Sequence, residues 1–333
     1  GEFFVMRSIF CAPRPLALGA SLLCLSLAAH AQEKLDKVVL TGNPLRSAET
    51  AQASLVLAGD ALTLTRGASL GETLDGLAGV AGSYFGPNSS RPTIRGLDGD
   101  RVRMLSNSGA SVDASSLSFD HAVPVDPLVV DRIEVLRGAA ALLYGGNAIG
   151  GVVNTLDNRI PRQAQPALSG AAELRLGGAA QERNAALVLD GGDGTGRFAW
   201  HADLAGRRAD DLKTPRFSGD DGDARRVRNS AAESRGGALG GSLLFAQGYA
   251  GLSVDDYRND YGVTVEPDVM VQMQRQRLAS AGEWRGGAEA LLRRLSWQFS
   301  RTRYQHQEVE GGGEIGTVFK SRGSDLRLEA EHA

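Results

Sequence analysis

The chain has 333 residues, and its 36 lysine and arginine side chains nearly balance 39 aspartates and glutamates, for a formal net charge of −3. That balance gives no footing to a nucleic-acid partner. A mean hydropathy of −0.18, with 43 glycines and only 6% aromatic residues, argues against a bundle of membrane helices and suits many turns and strands.

Residues 6–31 have the layout of a secretory signal peptide. Arg7 and Arg14 supply the positive start, and residues 16–28 are apolar but shorter than the ~20 residues that span a bilayer. Ala29-His30-Ala31 is a cleavage pattern, so the mature chain is expected to begin at Gln32, with Met6 as the start and residues 1–5 upstream of it. Both cysteines, Cys11 and Cys24, lie in this leader, which excludes disulfides and cysteine-ligated metal from the mature chain. Residues 32–50 are polar around one apolar island, Lys37-Val38-Val39-Leu40-Thr41, which Gly42-Asn43-Pro44 ends. A β-prone segment near a free terminus can add to the sheet edge of another protein.

Residues 51–162 read as a compact α+β domain. Ser69-Leu70-Gly71-Glu72 is a capping-box pattern, and Leu70, Leu74 and Leu77 then share a helical face. Residues 92–96 and 101–105 are predicted strands around a polar Gly-Asp turn. Asp126-Pro127 is a cap followed by proline at the first helical position. Residues 133–136 are a strand that Arg137-Gly138 ends, residues 139–144 a short helical run, residues 145–147 a turn and residues 151–156 a last strand.

From about residue 168 the texture changes to short segments alternating in polarity with period two. They cover 173–176, 185–190, 198–205, 238–246, 249–257, 275–285, 295–304 and 325–331. This is the pattern of transmembrane barrel strands, apolar outward and polar inward, although an antiparallel sandwich shows the same alternation. At ~20 residues for a strand and its share of loop, residues 163–333 hold about eight strands. The charged stretch 210–228 is expected to be an exposed loop rather than strand. The glycine-rich run 191–196 lacks the lysine of a phosphate loop and reads as a hairpin turn. No Ser-His-Asp or metalloprotease spacing is present, so no enzyme is expected.

Five motifs in order resemble the TonB-dependent outer-membrane receptors. Asp36-Lys37-Val38-Val39-Leu40-Thr41 resembles a TonB box, and the helix and Gly-Val turn of residues 69–80 resemble the opening of the receptor plug. Arg91-Pro92-Thr93-Ile94-Arg95-Gly96-Leu97 and Ile133-Glu134-Val135-Leu136-Arg137-Gly138 resemble the two plug arginine motifs. Leu143-Tyr144-Gly145 with Ile149-Gly150-Gly151-Val152-Val153-Asn154 resembles the run that closes the plug. Ala139 departs from the family, which usually has proline there to fix the turn.

The resemblance implies an α+β plug followed by the strands of a barrel of about 22 strands. It gives four regions: 1–31 leader, 32–50 box and linker, 51–162 plug and 163–333 the N-terminal part of the barrel. Eight strands of such a barrel leave bare edges in lipid, so the chain is expected to be part of a longer protein or a truncated remnant. It also implies an outer-membrane location with lipid around the strands, no covalent chemistry and no resident cofactor. The implied activity is import of a scarce ligand, energised by the TonB protein of the inner membrane through residues 36–41. A passive pore or surface-binding barrel in which the box is dispensable is the competing class. The short run from Gln32 to the box leaves no room for the extra signalling domain of some relatives.

By the same resemblance Arg95 and Arg137 anchor the plug against barrel glutamates, with Glu173 and Glu283 as partners. Solvated surface arginines are the plainer alternative. Residues 113–127, with Asn259-Asp260-Tyr261-Gly262-Val263 and Thr317-Val318-Phe319-Lys320, resemble the branch that includes zinc importers, in which an Asp-His pair at the plug apex binds metal. Here that pair is Asp120-His121, and carboxylate with imidazole suits Zn²⁺. The expected cargo is a metal ion or metal complex, zinc or an iron complex among them. The departure is the expected external loop 263–274, which has no histidine.

Overall fold

A computed structural model describes residues 55–219, 222–287 and 289–332. The expected leader and the 36–41 segment lie outside these described residues.

Strand β1 (Leu55–Ala58) leads into helix α1 (Gly59–Thr65), and helix α2 (Leu70–Leu74) follows. A helix this short leaves almost all its N–H groups without internal partners, so its cap decides where it starts. Ser69 Oγ accepts from the Glu72 N–H at 3.2 Å, and the Glu72 carboxylate accepts from the Ala68 N–H at 2.6 Å, one residue earlier than in a standard capping box. The short strands β2 (Val80–Gly82) and β3 (Pro92–Ile94) pair antiparallel. The strand expected over 92–96 stops at Ile94, because Arg95 and Gly96 both take positive φ and turn the chain.

Strands β4 (Val102–Ser106), β5 (Gly109–Ala110), β6 (Arg132–Leu136) and β7 (Gly151–Leu156) join β1 in a five-stranded sheet of order β1-β6-β7-β4-β5. The β4–β7 pairing is parallel and the rest antiparallel. Ile133, Val135 and Val153 point to one face and pack with Leu62, Leu70, Leu74 and Ile94. Leu136 and Val152 point to the other, against Leu105, Ala141 and Ala148. With both faces covered, every residue of β7 is buried, as expected of a central strand. Asp126 caps a 3-10 turn at Pro127–Val129 by accepting from the Leu128 N–H at 3.0 Å. A 3-10 turn at Ala139–Tyr144 begins directly after Gly138, whose φ is 84°.

Ten further strands follow. They are β8 (Ser169–Gly177), β9 (Glu182–Gly192), β10 (Phe198–Ala209), β11 (Lys213–Gly219), β12 (Gly222–Arg226), β13 (Ala232–Phe245), β14 (Gly248–Val263), β15 (Glu266–Arg285), β16 (Leu292–Val309) and β17 (Ile315–His332). All but β11 and β12 form an eight-stranded antiparallel sheet in chain order, with β8 and β17 at its edges. Each strand is longer than its alternating core in the sequence, since pairing continues into stretches that are polar on both faces. One face carries Leu174, Leu204, Leu239, Leu252 and Leu328, all exposed. The other buries Asn184, His201, Asp203, Ser253, Arg275 and His306. The turn over 191–196 is the hairpin end expected there: Asp193 Oδ1 accepts from the Thr195 N–H at 3.0 Å between β9 and β10.

Two loop expectations are corrected. Within 210–228, β11 and β12 pair as a separate hairpin, because backbone pairing in an exposed ribbon tolerates charged side chains on both faces. The loop expected at 263–274 is a two-residue turn, Thr264-Val265, with β15 already under way at Glu266. No described helix is long and apolar enough to cross a membrane, which does not bear on crossing by strands.

Candidate metal centre at the plug apex

The Asp120-His121 loop is held against the strand sheet by one tyrosine. Tyr261, on the inner face of β14 and 1% exposed, accepts from the Ala122 N–H at 2.9 Å and donates to the Asp120 carbonyl at 3.1 Å. The two bonds flank His121 and fix its position. Alternation along β16 turns Tyr304, His306 and Glu308 to the same inner face, below the loop.

His121 Nε2 lies 3.4 Å from Glu308 Oε1 and 3.8 Å from Asp120 Oδ2, and His306 Nε2 lies 3.9 Å from the same Glu308 oxygen. The two imidazole rings are 4.4 Å apart between centroids. Ligand atoms of His121, His306 and Glu308 all fall within 4.8 Å of one another, a spacing that a small contraction brings to metal-ligand distance. Two imidazoles and a carboxylate suit Zn²⁺ and its neighbours among the divalent transition metals.

The surroundings support that use. Phe319 stacks on His306 at 5.4 Å, and the Tyr304 hydroxyl lies 3.1 Å from His306 Nδ1. With Nδ1–H donating to the tyrosine oxygen, the lone pair of Nε2 is free for a metal, the usual outer-shell arrangement of a ligating histidine. His121 Nδ1 is buried without a hydrogen-bond partner. Asp120, half-buried, takes the Ser118 hydroxyl on its other oxygen and stands beside the three-residue cluster rather than within it.

Sequence reasoning identified His121 and missed His306 and Glu308. The strand expected over 295–304 ends just before them, whereas β16 runs on to Val309. The usable signal was Tyr304-x-His306-x-Glu308, three polar groups at period two on a face already read as inward.

The two arginines expected as anchors sit in different settings. Arg95 sits exposed on its left-handed turn. Arg137 is half-buried and donates to the Ala78 carbonyl at 2.7 Å, inside the plug. Glu173 takes Arg66 at 2.6 Å and also Arg175, and Glu283 takes Arg285 at 2.6 Å and Arg294 at 3.6 Å. The plug arginine that meets Glu173 is therefore Arg66. A denser junction lies at Arg159, just after β7. Its guanidinium holds Asp203 of β10 through Nε at 2.7 Å and Nη2 at 3.1 Å, with Asp255 of β14 at 3.5 Å and Asp157 at 3.7 Å. These carboxylates raise the guanidinium pKa above its ordinary value although burial opposes them. Across the sheet, His201 Nε2 lies 3.1 Å from Asp203 and Nδ1 lies 2.9 Å from Asp190.

Residues 46–152 match the TonB-dependent receptor plug domain family. Over 145 residues the chain is 33% identical to a vitamin B12 transporter (BtuB) of Vibrio vulnificus, a match covering 41% of this chain and 23% of that protein. It is 31% identical over 145 residues to the rhizobactin receptor of Rhizobium meliloti, covering 42% of this chain and 19% of that one. The fold follows that of a solved copper transporter (OprC) with a TM-score of 0.66 at 15% identity, over 85% of this chain and 43% of the other. Residues 46–152 thus belong to the TonB-dependent receptor plug domain family. The chain spans about a quarter or less of the length of these two curated relatives. The proteins it resembles are transporters and receptors by name. The five-stranded domain is the matched plug domain, and the eight-stranded sheet has the fold of the corresponding part of that solved transporter.

Proposed function

We propose that this receptor imports a divalent transition-metal ion, zinc first, across the outer membrane, and that His121, His306 and Glu308 with Asp120 form its binding site. The observation that carries the reading is the convergence of two imidazoles and a carboxylate from separate parts of the fold on one point. The names of the relatives speak of vitamin B12, rhizobactin and copper, and those cargoes are theirs.

The division of the site suggests how release is coupled to energy. His121 and Asp120 belong to the plug, while His306 and Glu308 belong to the wall. A pull on the plug separates the ligand set, and each ligand lost weakens the hold on the ion. The pull is proposed to come through residues 36–41, where Asp36, Lys37, Val38, Val39, Leu40 and Thr41 offer a β-prone sequence for strand addition by the TonB protein.

The test uses the full-length receptor. Zinc binding measured by calorimetry is expected at one site, to be lost in His121→Ala and His306→Ala, and to weaken about tenfold to a hundredfold in Tyr304→Phe, which removes only the outer-shell partner of His306. Val39→Pro removes a backbone donor, so zinc uptake by cells should collapse while binding persists. Zinc binding that ignores both histidine substitutions would sink the site. Unchanged uptake in the proline variant would sink the coupling segment.

A further inference from the structure

Three residues of the plug, 120–122, are held by the wall rather than by the plug. Both flanks of this triplet are plug-bound. The Phe119 carbonyl accepts from Ser89 Oγ at 2.9 Å, and Val123 is buried in the plug core. Between them the Tyr261 hydroxyl takes the Ala122 N–H and the Asp120 carbonyl. The His121 N–H donates to the Ser118 carbonyl at 3.4 Å, a bond that stays within the loop. Ala122, 4% exposed, packs with Ala232 of β13, Tyr261 and Val263 of β14 and Val271 of β15. Among the described residues, no backbone bond joins 120–122 to a part of the plug outside this loop.

The tyrosine is fixed in turn. Its ring is 1% exposed, and register sets it between Ala232 and Val271 on the neighbouring strands. Sliding the triplet along the wall breaks both hydroxyl bonds at once and leaves the buried Ala122 N–H without a partner, which is costly. Movement of the plug core therefore reaches His121 only after those bonds part. The consequence extends to the metal ligands. His121 lies between the two bonds, so its ring is presented to His306 and Glu308 from a backbone with little freedom left. A ligand whose backbone is already ordered loses less entropy on binding. It also stays within reach when one metal bond opens, so rebinding competes with escape.

We propose, resting on the reading of His121, His306 and Glu308 as metal ligands, that Tyr261 is the positioning residue of the site. Its hydroxyl, which bonds backbone and no ligand atom, holds residues 120–122 on the wall and sets how long the ion is kept. The two halves of the ligand set stay together until the Tyr261 bonds break, and His121 then leaves with the plug.

The experiment uses the full-length receptor with zinc as the probe. Without metal, amide exchange over residues 119–123 should be as slow in the parent as along β14. In Tyr261→Phe it should be about tenfold faster, the equivalent of one lost hydrogen bond. With zinc bound, a chelator chase by stopped flow should show release about tenfold faster in Tyr261→Phe, with the thermal midpoint of the strand sheet unchanged. Tyr257→Phe is the control. It removes a buried hydroxyl from the same strand whose partner, Ser234, is on the wall, and both of its rates should match the parent. Fast exchange over 119–123 in the zinc-free parent would overturn the proposal whether or not either variant folds. So would parent-like release from Tyr261→Phe, or an equal acceleration in Tyr257→Phe, which would mark a general loosening. A parent that binds no zinc sinks the ligand set instead, while the exchange measurement still decides whether Tyr261 holds the loop.

Discussion

The plug hides leucine, isoleucine and valine, whereas the inner face of the strand sheet hides serine, asparagine, aspartate, arginine and histidine. The plug therefore coheres through its own apolar core, in the way of an ordinary small domain. The sheet turns most of its leucines outward and meets the plug largely through polar groups, with small apolar clusters at Ala122, Ala114 and Leu128. Polar contacts of this kind are strong only while every partner is in place, and water substitutes for them once they part. A domain that must stay folded while its seat is disturbed is well served by that division.

The contrast is sharpest at Arg159. Replacing it with alanine leaves Asp203, Asp255 and Asp157 without their shared cation while they remain largely buried. Breaking a buried pair from one side costs about 3–5 kcal/mol. Arg159→Ala in the full-length receptor is expected to lower the thermal midpoint of the plug, leave that of the barrel near its original value, and admit large antibiotics to cells. If the antibiotic sensitivity and the plug transition both stay as in the parent, the seat of the plug lies elsewhere. Ile133→Ala probes the other side of the comparison. Ile133 is fully buried in the plug core, and removing its side chain costs about 3 kcal/mol. This variant should destabilise the plug without weakening the Arg159 junction. Adding both substitutions should then give a nearly additive loss, and strong coupling between them would count against two separate layers of stabilisation.

The plug was legible in the sequence because its irregular chain forces particular residues at particular turns. Ser69 caps a helix, Asp126 caps a turn, and Gly138 takes a positive φ, so each leaves a mark that motif reasoning can find. The strands were legible as alternation, but not their ends. Backbone pairing on β14, β15 and β16 runs beyond the apolar stretch, and nothing in the side chains announces where it stops. That is why His306 and Glu308 were missed while His121 was found. It is also why Arg66 and Arg159 were passed over as partners of strand carboxylates. Their meeting with Glu173 and Asp203 depends on how the plug seats in the sheet, a relation that no local pattern records.

The smallest expected effect concerns a carboxylate on the plug side of this junction. Asp126 is buried, and one oxygen caps the turn at Leu128 while the other has no hydrogen-bond partner. Burial raises its pKa above the ordinary carboxylate value, and the Leu128 N–H bond with the charges of Arg207 and Arg159 offsets this only in part. A folded-state pKa above the unfolded one means that the native state binds the proton more tightly. Stability from this group is then present at low pH and is lost as pH rises through the raised pKa. Asp126→Asn keeps an oxygen for the Leu128 N–H and removes the buried charge. It should raise the thermal midpoint of the plug at neutral pH, and the advantage over the parent should fade as pH falls toward the ordinary carboxylate range. An advantage that persists unchanged at low pH would mean that the charge is not its source. A loss at neutral pH would mean that Arg207 and Arg159 hold the ionised form more firmly than burial disfavours it, and Asp126 would then belong with Asp203 on the polar side of the comparison.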